Sequence, residues 1–311
     1  METFHHVSVL LAGVMDGLKV KPDGIYVDAT LGGAGHSKAI LDRLGPDGLL
    51  IGIDQDPAAL EAAADRLSGR IEQVRLLRGN FQELKALLEN IGVSKIDGIL
   101  FDLGVSSHQL DTAERGFSYN HEGPLDMRMD PTGDLTADQI IHEWSEEQIA
   151  KILFEYGEEK FARRIANRIV KRREIKKISN TLELAEIIKE AIPAATRRNG
   201  PHPAKRTFQA LRIAVNRELE ILEKAFLDGI ELLNPSGRIC VITFHSLEDR
   251  ITKKIFQKLE KPCTCPPRFP QCICGKEPMI KTLGKAQGPT EEELIYNPRA
   301  RSAKLRVAEK L

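Results

Sequence analysis

The chain has 311 residues, with 45 Lys or Arg against 45 Asp or Glu, so its formal net charge at pH 7 is zero. With 41% hydrophobic residues and 5 cysteines, the composition excludes a collagen, a disulfide-dense scaffold and a disordered chain. No segment is apolar and long enough to cross a bilayer, and the longest uncharged stretch, from Thr3 to Met15, has no basic leader. We therefore expect a cytoplasmic protein without a membrane partner and, from its length, two domains.

Short apolar runs alternate with helical patterns through the first 107 residues. This alternation is typical of βαβ units and of a parallel sheet. The sequence therefore predicts a doubly wound α/β fold for this part of the chain. The predicted elements are strands at 24–28, 49–54, 74–77 and 96–102 and helices at 37–44, 57–67 and 81–91.

After Ser107 the pattern becomes helical. An irregular segment rich in Gly, Pro and Asp leads into helices whose starts are marked by a capping residue followed three positions later by Gln or Glu. The three pairs are Thr136 with Gln139, Ser145 with Gln148, and Asn180 with Glu183.

Apolar side chains at spacings of three and four then predict one long amphipathic helix from Thr207 to Leu233. The turn Asn234–Gly237 ends it, and an apolar strand from Arg238 to Phe244 follows. Because the α/β pattern resumes here, we expect residues 1–107 and 205–311 to form one α/β domain. Residues 108–204 are expected to form an inserted, all-helical domain for substrate recognition.

A glycine-rich turn follows the first predicted strand, in Val27-Asp-Ala-Thr-Leu-Gly-Gly-Ala-Gly-His36. Gly33 and Gly35 let the backbone approach a ligand closely, and Asp54 ends the next strand, where its carboxylate can accept hydrogen bonds from both hydroxyls of a ribose. The spacing differs from Gly-x-Gly-x-x-Gly and no Gly-Lys-Ser/Thr follows, which disfavours NAD and ATP. The turn predicts a nucleoside-containing cofactor; the alternative is a structural turn with an incidental Asp.

The third and fourth predicted strands also end on candidate site residues. Phe81 follows the third strand, where its ring can lie beside an adenine, and Asp102 ends the fourth. The carboxyl ends of parallel strands meet at one edge of a sheet, where doubly wound folds bind ligands. A lone Asp there often only caps a helix, but Asp28, Asp54, Phe81 and Asp102 follow four successive strands and predict one site.

By a longer, ordered set of motifs, the chain resembles the S-adenosylmethionine-dependent methyltransferases that methylate the exocyclic N4 of a cytidine in 16S rRNA of the bacterial small ribosomal subunit. The resemblance covers nearly the whole chain and implies a Rossmann-like methyltransferase sheet, S-adenosyl-L-methionine as cofactor and 16S rRNA as partner. The motifs are His6–Leu11, Asp28–His36, Asp102–Ser107, Glu114–Ser118, Gly123–Asp130, Lys205–Arg212, Phe244–Arg250 and Asn297–Ser302. The resemblance implies cofactor contacts at Ala34, Gly35, His36, Asp54, Phe81, Asp102 and Gln109, to which the strand-end pattern adds Asp28 and Gly33.

Methyl transfer to N4 is expected to depend on Asp102, with Ser106 and Ser107 as further catalytic candidates. The amino lone pair of cytosine is delocalised into the ring, so a hydrogen-bond acceptor is needed to localise it. Amino-methyltransferases of nucleic acids usually have Asp/Asn/Ser-Pro-Pro-aromatic here, whereas this chain has Asp-Leu-Gly-Val, which leaves open whether the acceptor is the carboxylate or a nearby carbonyl. Methylation at C5 would need a cysteine near this strand end; none is present, which favours direct in-line transfer.

The target base is predicted to contact a second set of residues, with one aromatic ring stacked on the flipped base and polar groups at its edge. The alternative is that such residues only cap helices and hold the inserted domain in place. These candidates are Ser106, Ser107, Phe117, Asp126, Arg128, His245 and Ser246.

A basic stretch from Lys160 to Lys177 is the candidate RNA-binding element, since nine of its eighteen residues are Lys or Arg and one is acidic. On a helix, one face can pack while its neighbour meets phosphates; a solvated charged face is the usual alternative. The helical projection aligns Ile165, Ile169 and Arg172 on one face, and Arg164, Arg168 and Lys171 on the neighbouring one.

The zero net charge is the sum of two opposite halves. Residues 1–158 contain 13 basic and 27 acidic residues, whereas residues 159–311 contain 32 and 18. A zero sum therefore does not exclude an RNA partner, and it predicts binding on one basic face that weakens with salt. Two other classes stay open: an enzyme of the same fold that methylates DNA or free nucleotides, and a non-catalytic assembly factor.

Four of the five cysteines, Cys263, Cys265, Cys272 and Cys274, form the pattern Cys-x-Cys-x6-Cys-x-Cys. Structural zinc sites usually have two to four residues between paired ligands rather than one. Reduced thiols without a metal are therefore the favoured interpretation, and a zinc site at these four cysteines is the alternative. Cys240 stands in an apolar run and is predicted to be a core residue.

Overall fold

The computed structural model describes residues 8–198, 200–266 and 273–311. It contains two compact units, one extending to Gly104 and resuming from Leu219 to Leu311, the other formed by Val105–Glu218. The described α-helices are α1 (Leu11–Leu18), α2 (Gly35–Leu41), α3 (Pro57–Arg66), α4 (Leu84–Glu89), α5 (Ser107–Asp111), α6 (Ala137–Glu143), α7 (Glu146–Glu155), α8 (Ala162–Ile175), α9 (Thr181–Ala191), α10 (Ala194–Arg197), α11 (Lys205–Asn216), α12 (Leu222–Leu232), α13 (Ser246–Glu260) and α14 (Glu291–Tyr296).

The first unit is built on a seven-stranded sheet in the order β3-β2-β1-β4-β5-β7-β6. Strands β1 to β5 pair in parallel, and β7 pairs antiparallel with both of its neighbours. This confirms the predicted doubly wound α/β sheet. The strands are β1 (Ile25–Asp28), β2 (Leu49–Asp54), β3 (Val74–Arg78), β4 (Ile96–Asp102), β5 (Leu233–Thr243), β6 (Ile280–Thr282) and β7 (Lys304–Lys310).

Helices cover both faces of this sheet, because its central strands carry apolar side chains on both sides. Buried residues of α1, α2 and α3, such as Val14, Ile40 and Ala63, form one core cluster with the strands. Buried residues of α4, α12 and α13, such as Phe226 and Phe256, form the other. The strand order reverses between β1 and β4, and doubly wound folds bind ligands at the carboxyl edge beside such a reversal.

The second unit contains helices and no strand in its described residues, 105–198 and 200–218. The three predicted helix starts are confirmed: Thr136 and Ser145 form reciprocal capping boxes with their partners, and Asn180 caps α9. Its core is one apolar cluster in which α7, α8, α9 and α11 contribute buried side chains, among them Leu153, Ile165, Ile188 and Leu211.

The single long helix predicted from Thr207 to Leu233 is wrong. The chain forms α11 and α12, separated at Arg217, whose φ of 52° lies in the left-handed region that ends a helix. The apolar stripe continues through the break without a change of period, but its two halves pack into different cores. Phe208 and Leu211 pack in the second unit, whereas Leu222 and Phe226 pack in the first.

The boundaries of the compact units therefore differ from those predicted. The second unit begins at Val105 instead of 108 and ends at Glu218 instead of 204, because α11 packs into the helical core. Strands β6 and β7 were not predicted, since Lys304–Lys310 is short and rich in charge although Leu305 and Val307 are buried. In the part of the chain that is described, no helix has the length and hydropathy of a membrane span.

Candidate active site

The glycine-rich turn between β1 and α2 packs tightly at one position and is open at another. A Cβ on Gly35 would lie 1.9 Å from the Ser8 hydroxyl oxygen, so the packing of Ser8 favours glycine at this position. A Cβ on Gly33 would meet no atom within 4 Å, which leaves the backbone uncovered there. Ala34, with φ of 55°, is the residue immediately before α2, and Arg66 Nη1 donates to the Gly33 carbonyl at 2.9 Å.

Asp54, at the end of β2, is held by the backbone around it. Its Oδ2 accepts the Gly32 N–H at 2.9 Å, and its Oδ1 accepts the Asp56 N–H at 2.9 Å. Burial raises the pKa of Asp54 to about 6 although these two hydrogen bonds lower it. A carboxylate oxygen has two acceptor sites, so each oxygen of Asp54 has capacity for a further donor such as a hydroxyl group.

Phe81 begins the short 3-10 helix after β3 and is partly exposed. Its ring meets Phe101 of β4 edge to face, with centroids 5.7 Å apart, which anchors one side of the ring in the core. Asn80 caps this turn by accepting the Gln82 N–H, and its amide donates to Gln55 at 2.9 Å. The turn therefore holds a partly exposed aromatic ring near the end of the strand that follows Asp54.

Asp28, at the end of β1, is 1% exposed. Ser37 of α2 donates its hydroxyl to Asp28 Oδ2 at 2.8 Å, and the Thr30 N–H donates to Oδ1 at 3.3 Å. Burial raises the pKa of Asp28 to about 6 and outweighs these hydrogen bonds. Asp28 therefore holds the turn in place while its ionised form is disfavoured.

Asp102, at the end of β4, is the carboxylate with the fewest hydrogen bonds at this edge. Its backbone N–H donates to Thr30 Oγ1 at 2.6 Å, but its buried Oδ1 has no hydrogen-bond partner among the described residues. Burial raises the pKa of Asp102 well above its ordinary value, and the negative charges of Asp28 and Glu248 raise it further. The carboxylate is therefore a stronger base than a solvated Asp.

His36 lies against Asp102, with its Nδ1 3.5 Å from Asp102 Oδ2, and its ring is buried. The other ring nitrogen, Nε2, is 2.9 Å from the carbonyl oxygen of Val9. Because a carbonyl only accepts, Nε2 carries a proton, and a neutral imidazole then presents its lone pair on Nδ1 to the carboxylate. This juxtaposition is repulsive unless one proton is shared between His36 and Asp102.

A buried carboxylate that was not predicted from the sequence lies in the first turn of α13, just after the end of β5. Glu248 of α13 is 1% exposed, and its Oε2 accepts the N–H groups of Phe244 and His245 at 2.7 and 3.3 Å. His245 Nε2 lies 3.1 Å from Glu248 Oε1, and Ser246 is exposed at the start of α13. The spacing of Glu248 from the residue that precedes the helix is the capping signal that could have identified it.

In the second unit, Ser106 and Gln109 form a reciprocal capping box at the start of α5. The Ser106 N–H donates to Gln109 Oε1 at 3.1 Å, and the Gln109 N–H donates to Ser106 Oγ at 3.2 Å. Ser107 is the first residue of the helix. The observed contacts are those of the structural alternative, and the catalytic role of the two serines and the cofactor contact of Gln109 stay predictions.

Three predicted target-pocket residues have structural partners within the second unit. Phe117 is 5% exposed and belongs to the helical core, so its ring offers no open face for stacking, which differs from the prediction. Arg128 donates Nε to Asp126 Oδ1 at 3.0 Å and Nη2 to Oδ2 at 2.6 Å, a bidentate ion pair, and Nη1 to the Gly133 carbonyl. Burial raises the pKa of Asp126, but the hydrogen bonds and charge of Arg128 outweigh it and lower the pKa overall.

The basic stretch forms α8 with the predicted two faces. Ile165 and Ile169 are fully buried in the helical core, whereas Arg164, Arg168 and Lys171 are exposed. Arg168 pairs with Glu190 at 2.5 Å. Arg172, which was expected on the packed face, is exposed, because it lies beyond the last buried turn.

The cysteine pattern lies between α13 and β6. The thiols of Cys263, Cys265 and Cys274 lie within 4.8 Å of one another, and Cys272 lies outside the described residues. Cys240 is fully buried on β5, as predicted.

The chain matches the MraW methylase family over residues 3–311. It is 59% identical over 310 residues to a protein of Brevibacillus brevis named ribosomal RNA small subunit methyltransferase H, with 99% of each chain covered. A protein of the same name from a Paenibacillus species is 56% identical, with 99% of this chain and 100% of that chain covered. A third, from Heliobacterium mobile, is 54% identical, with 99% of each chain covered.

Proposed function

The chain belongs to the MraW methylase family and is a methyltransferase, and from this premise we propose that it methylates the exocyclic N4 of a cytidine in 16S rRNA of the small ribosomal subunit. We propose S-adenosyl-L-methionine as the methyl donor. The names of the relatives support rRNA as the substrate class. The observation that carries the proposal is Asp102, a partly buried carboxylate with a raised pKa at the carboxyl edge of the sheet, whose buried Oδ1 accepts no hydrogen bond from a described residue.

The carboxyl edge of the sheet fits a nucleoside-containing donor. Asp54 accepts one backbone N–H on each oxygen and has capacity for two ribose hydroxyls. The uncovered backbone at Gly33 offers backbone contacts to such a donor, and the partly exposed ring of Phe81 offers an apolar contact. When bound, S-adenosylmethionine supplies a methyl group activated by its sulfonium charge. The residues that we expect to hold it in the first unit are Asp28, Gly33, Ala34, Gly35, His36, Asp54, Phe81 and Asp102.

Asp102 is proposed to accept a hydrogen bond from the amino group of the target cytosine. This interaction localises the nitrogen lone pair, which makes N4 a better nucleophile, and it is worth typically 10² to 10⁴ in rate. Asp102 Oδ1 is the candidate atom for this role, because it has no hydrogen-bond partner among the described residues. The raised pKa of the carboxyl group strengthens it as an acceptor.

His36 is proposed to hold the proton that the amino group loses. As N4 gains a methyl group it must release a proton, and the carboxylate of Asp102 is its first acceptor in the proposed mechanism. His36 Nδ1, 3.5 Å from Asp102 Oδ2, can then share that proton. The hydrogen bond from Nε2 to the Val9 carbonyl keeps the ring in the required tautomer and orientation.

Direct transfer, without a covalent bond between enzyme and base, is supported by the position of Cys240. Its thiol is on β5 in register with Leu100 of β4, two positions before the strand end at Asp102. Burial raises the pKa of the Cys240 thiol, which disfavours the nucleophilic thiolate. This cysteine is thus a core residue and not a nucleophile for attack on a base.

The exposed face of α8 is proposed to contact rRNA phosphates. Arg164 and Lys171 are exposed, whereas the guanidinium of Arg168 forms an ion pair with Glu190. Substitution of both Arg164 and Lys171 by Gln is expected to weaken binding to small subunits and to reduce the slope of log affinity against log salt by about two. Arg168→Gln is the matched control and should change the slope less; equal effects would remove this face from the interface.

The reaction is tested with small ribosomal subunits from cells that lack the enzyme and with S-adenosylmethionine labelled in its methyl group. We expect nucleoside mass spectrometry to find the label on N4 of one cytidine in 16S rRNA. Label on a ring carbon would contradict direct transfer, and preferential labelling of DNA or free nucleotides would favour another substrate class. No labelling with any substrate would favour a non-catalytic assembly factor.

A further inference from the structure

The described residues between α13 and β6, 261–266 and 273–279, are mostly exposed. The Met279 N–H donates to the Leu259 carbonyl at 2.9 Å and closes a loop that has no helix or strand in its described residues, 261–266 and 273–279. Ile273 is 73% exposed, and most of its described neighbours are exposed as well. A bound metal is one way to order a segment whose side chains bury little apolar surface.

We propose that Cys263, Cys265 and Cys274 bind a Zn²⁺ ion that orders this loop. Their sulfur atoms lie within 4.8 Å of one another. With Zn–S bonds of about 2.3 Å, the sulfurs of a tetrahedral site are separated by about 3.8 Å, so only small side-chain movements are needed to close the site. The single residue between Cys263 and Cys265, which made zinc the less favoured interpretation of the sequence, does not prevent the two thiols from facing the same point.

The backbone around the thiols has features that suit a thiolate site. The Ile273 N–H donates to Cys265 Sγ at 3.4 Å, and this bond joins the two arms of the loop. Amide donors to sulfur stabilise thiolates and orient them toward a metal. Gly275 follows Cys274 directly with φ of 63°, in the left-handed region, and turns the chain away immediately after the ligand.

A lysine side chain contacts the residue that lies between two of the proposed ligands. Lys276 reaches back across the loop and donates to Thr264 Oγ1 at 3.3 Å, which places its ammonium group beside the residue between Cys263 and Cys265. No acidic side chain joins the three sulfurs in this cluster, as far as the described residues go. Zinc binding would displace the thiol protons, and the resulting negative charge would be offset by the ion and by this lysine.

The proposal is tested on the full-length protein, purified under reducing conditions and washed with a weak chelator. Elemental analysis is expected to find about one zinc per chain, and Cys265→Ser and Cys274→Ser are expected to lose most of it. Cys240→Ala is the matched control, because this cysteine is buried on β5 far along the chain from the loop, and it should retain the metal. Zinc retained equally by all variants would show an ion bound elsewhere and would overturn the proposal.

A second measurement on the unaltered protein covers the case in which a variant fails to fold. The reactivity of its thiols toward a disulfide reagent is followed before and after a strong chelator, with circular dichroism as a check on the fold. We expect the loop thiols to be protected until the chelator removes the metal, and added Zn²⁺ to restore protection. Loop thiols that already react fully before the chelator is added, or a disulfide in the intact mass, would contradict the proposal.

Discussion

The two ends of strand β4 carry the same residue type in opposite electrostatic environments. Asp97, near the start of the strand, accepts hydrogen bonds from the Ile25 N–H and from Lys21 Nζ, both at 3.1 Å. Burial raises its pKa, but these donors outweigh burial and lower the pKa overall. At the other end, the pKa of Asp102 is raised well above its ordinary value, and no described residue donates to its Oδ1.

Asp97 is thus a carboxylate that stabilises the fold, whereas Asp102 is the one that we propose to contact a ligand. At the amino edge, donors within the protein meet the charge of Asp97. At the carboxyl edge, Asp28 and Glu248 place further negative charge near Asp102, so ionisation there is disfavoured in the free protein. Groups whose ionised form is destabilised in this way are concentrated at functional sites.

The largest expected effect is that of Asp102→Asn on the rate of methyl transfer. Asn is nearly isosteric but is a weaker acceptor and cannot take up the proton, so single-turnover transfer should fall by about 10² to 10⁴. Binding of S-adenosylmethionine, followed by calorimetry, should stay within a few-fold. Asp97→Asn on the same strand is the matched control and should leave the rate within a few-fold; equal losses would show that the ends do not differ in function.

The next effect is a gain of stability in Asp28→Asn. The pKa of Asp28 is about 6 in the folded protein against an ordinary value of 3.8, so the folded state binds the proton more tightly than the unfolded state. Ionisation therefore costs stability above about pH 6, and the cost disappears as the pH falls toward 4. At pH 7 the variant should be more stable by about 1 to 3 kcal/mol, measured by urea unfolding without ligand.

The advantage of Asp28→Asn should shrink when the same unfolding curves are recorded near pH 5. Both proteins then hold a largely neutral side chain at this position. A gain that is the same at both pH values would have another origin, such as improved packing around Ser37. A loss of stability at pH 7 would show that the hydrogen bonds from Ser37 and Thr30 outweigh burial of the charge.

The smallest effect is a loss of stability in Asp97→Asn, of about 1 kcal/mol at pH 7. The substitution removes the charge that Lys21 meets and exchanges an acceptor oxygen for a donor. Because the pKa of Asp97 is lowered on folding, its contribution is present above the unfolded pKa and is lost as the pH falls through the folded value. Unfolding at neutral pH with the Lys21→Gln variant for comparison checks this, and a stabilised Asp97→Asn protein would be contrary to it.

The elements of the fold were largely predictable because their signals are local. Strands of four to seven apolar residues, cap pairs such as Ser145 with Gln148, and the basic face of α8 depend on residues that are close in sequence. The break between α11 and α12 was not predictable from periodicity. The spacing from Val215 to Leu222 fits two turns of one helix, although these residues pack in different cores.

The positions of the candidate residues at the strand ends were predictable, whereas their burial and pKa shifts were less so. The strand ends at Asp28, Asp54 and Asp102 follow from the alternation of elements. The raised pKa of Asp102 depends on burial and on Glu248, far away in the sequence, and tertiary contacts of this kind leave no local signal. Similarly, only the packing shows that Gly35 accommodates Ser8 and that Phe117 is buried in the helical core.

Asp102 is proposed to act as a base whose pKa is set by its neighbours, and the pH dependence of single-turnover methyl transfer at saturating cofactor tests this role directly. Transfer should fall as the pH drops through the pKa of Asp102, at a pH well above the ordinary value of 3.8. Asp28→Asn removes one of the negative charges that raise this pKa, so the acid limb should move to lower pH. An acid limb at the same pH in both proteins, or a rate independent of pH across this range, would contradict this role of Asp102.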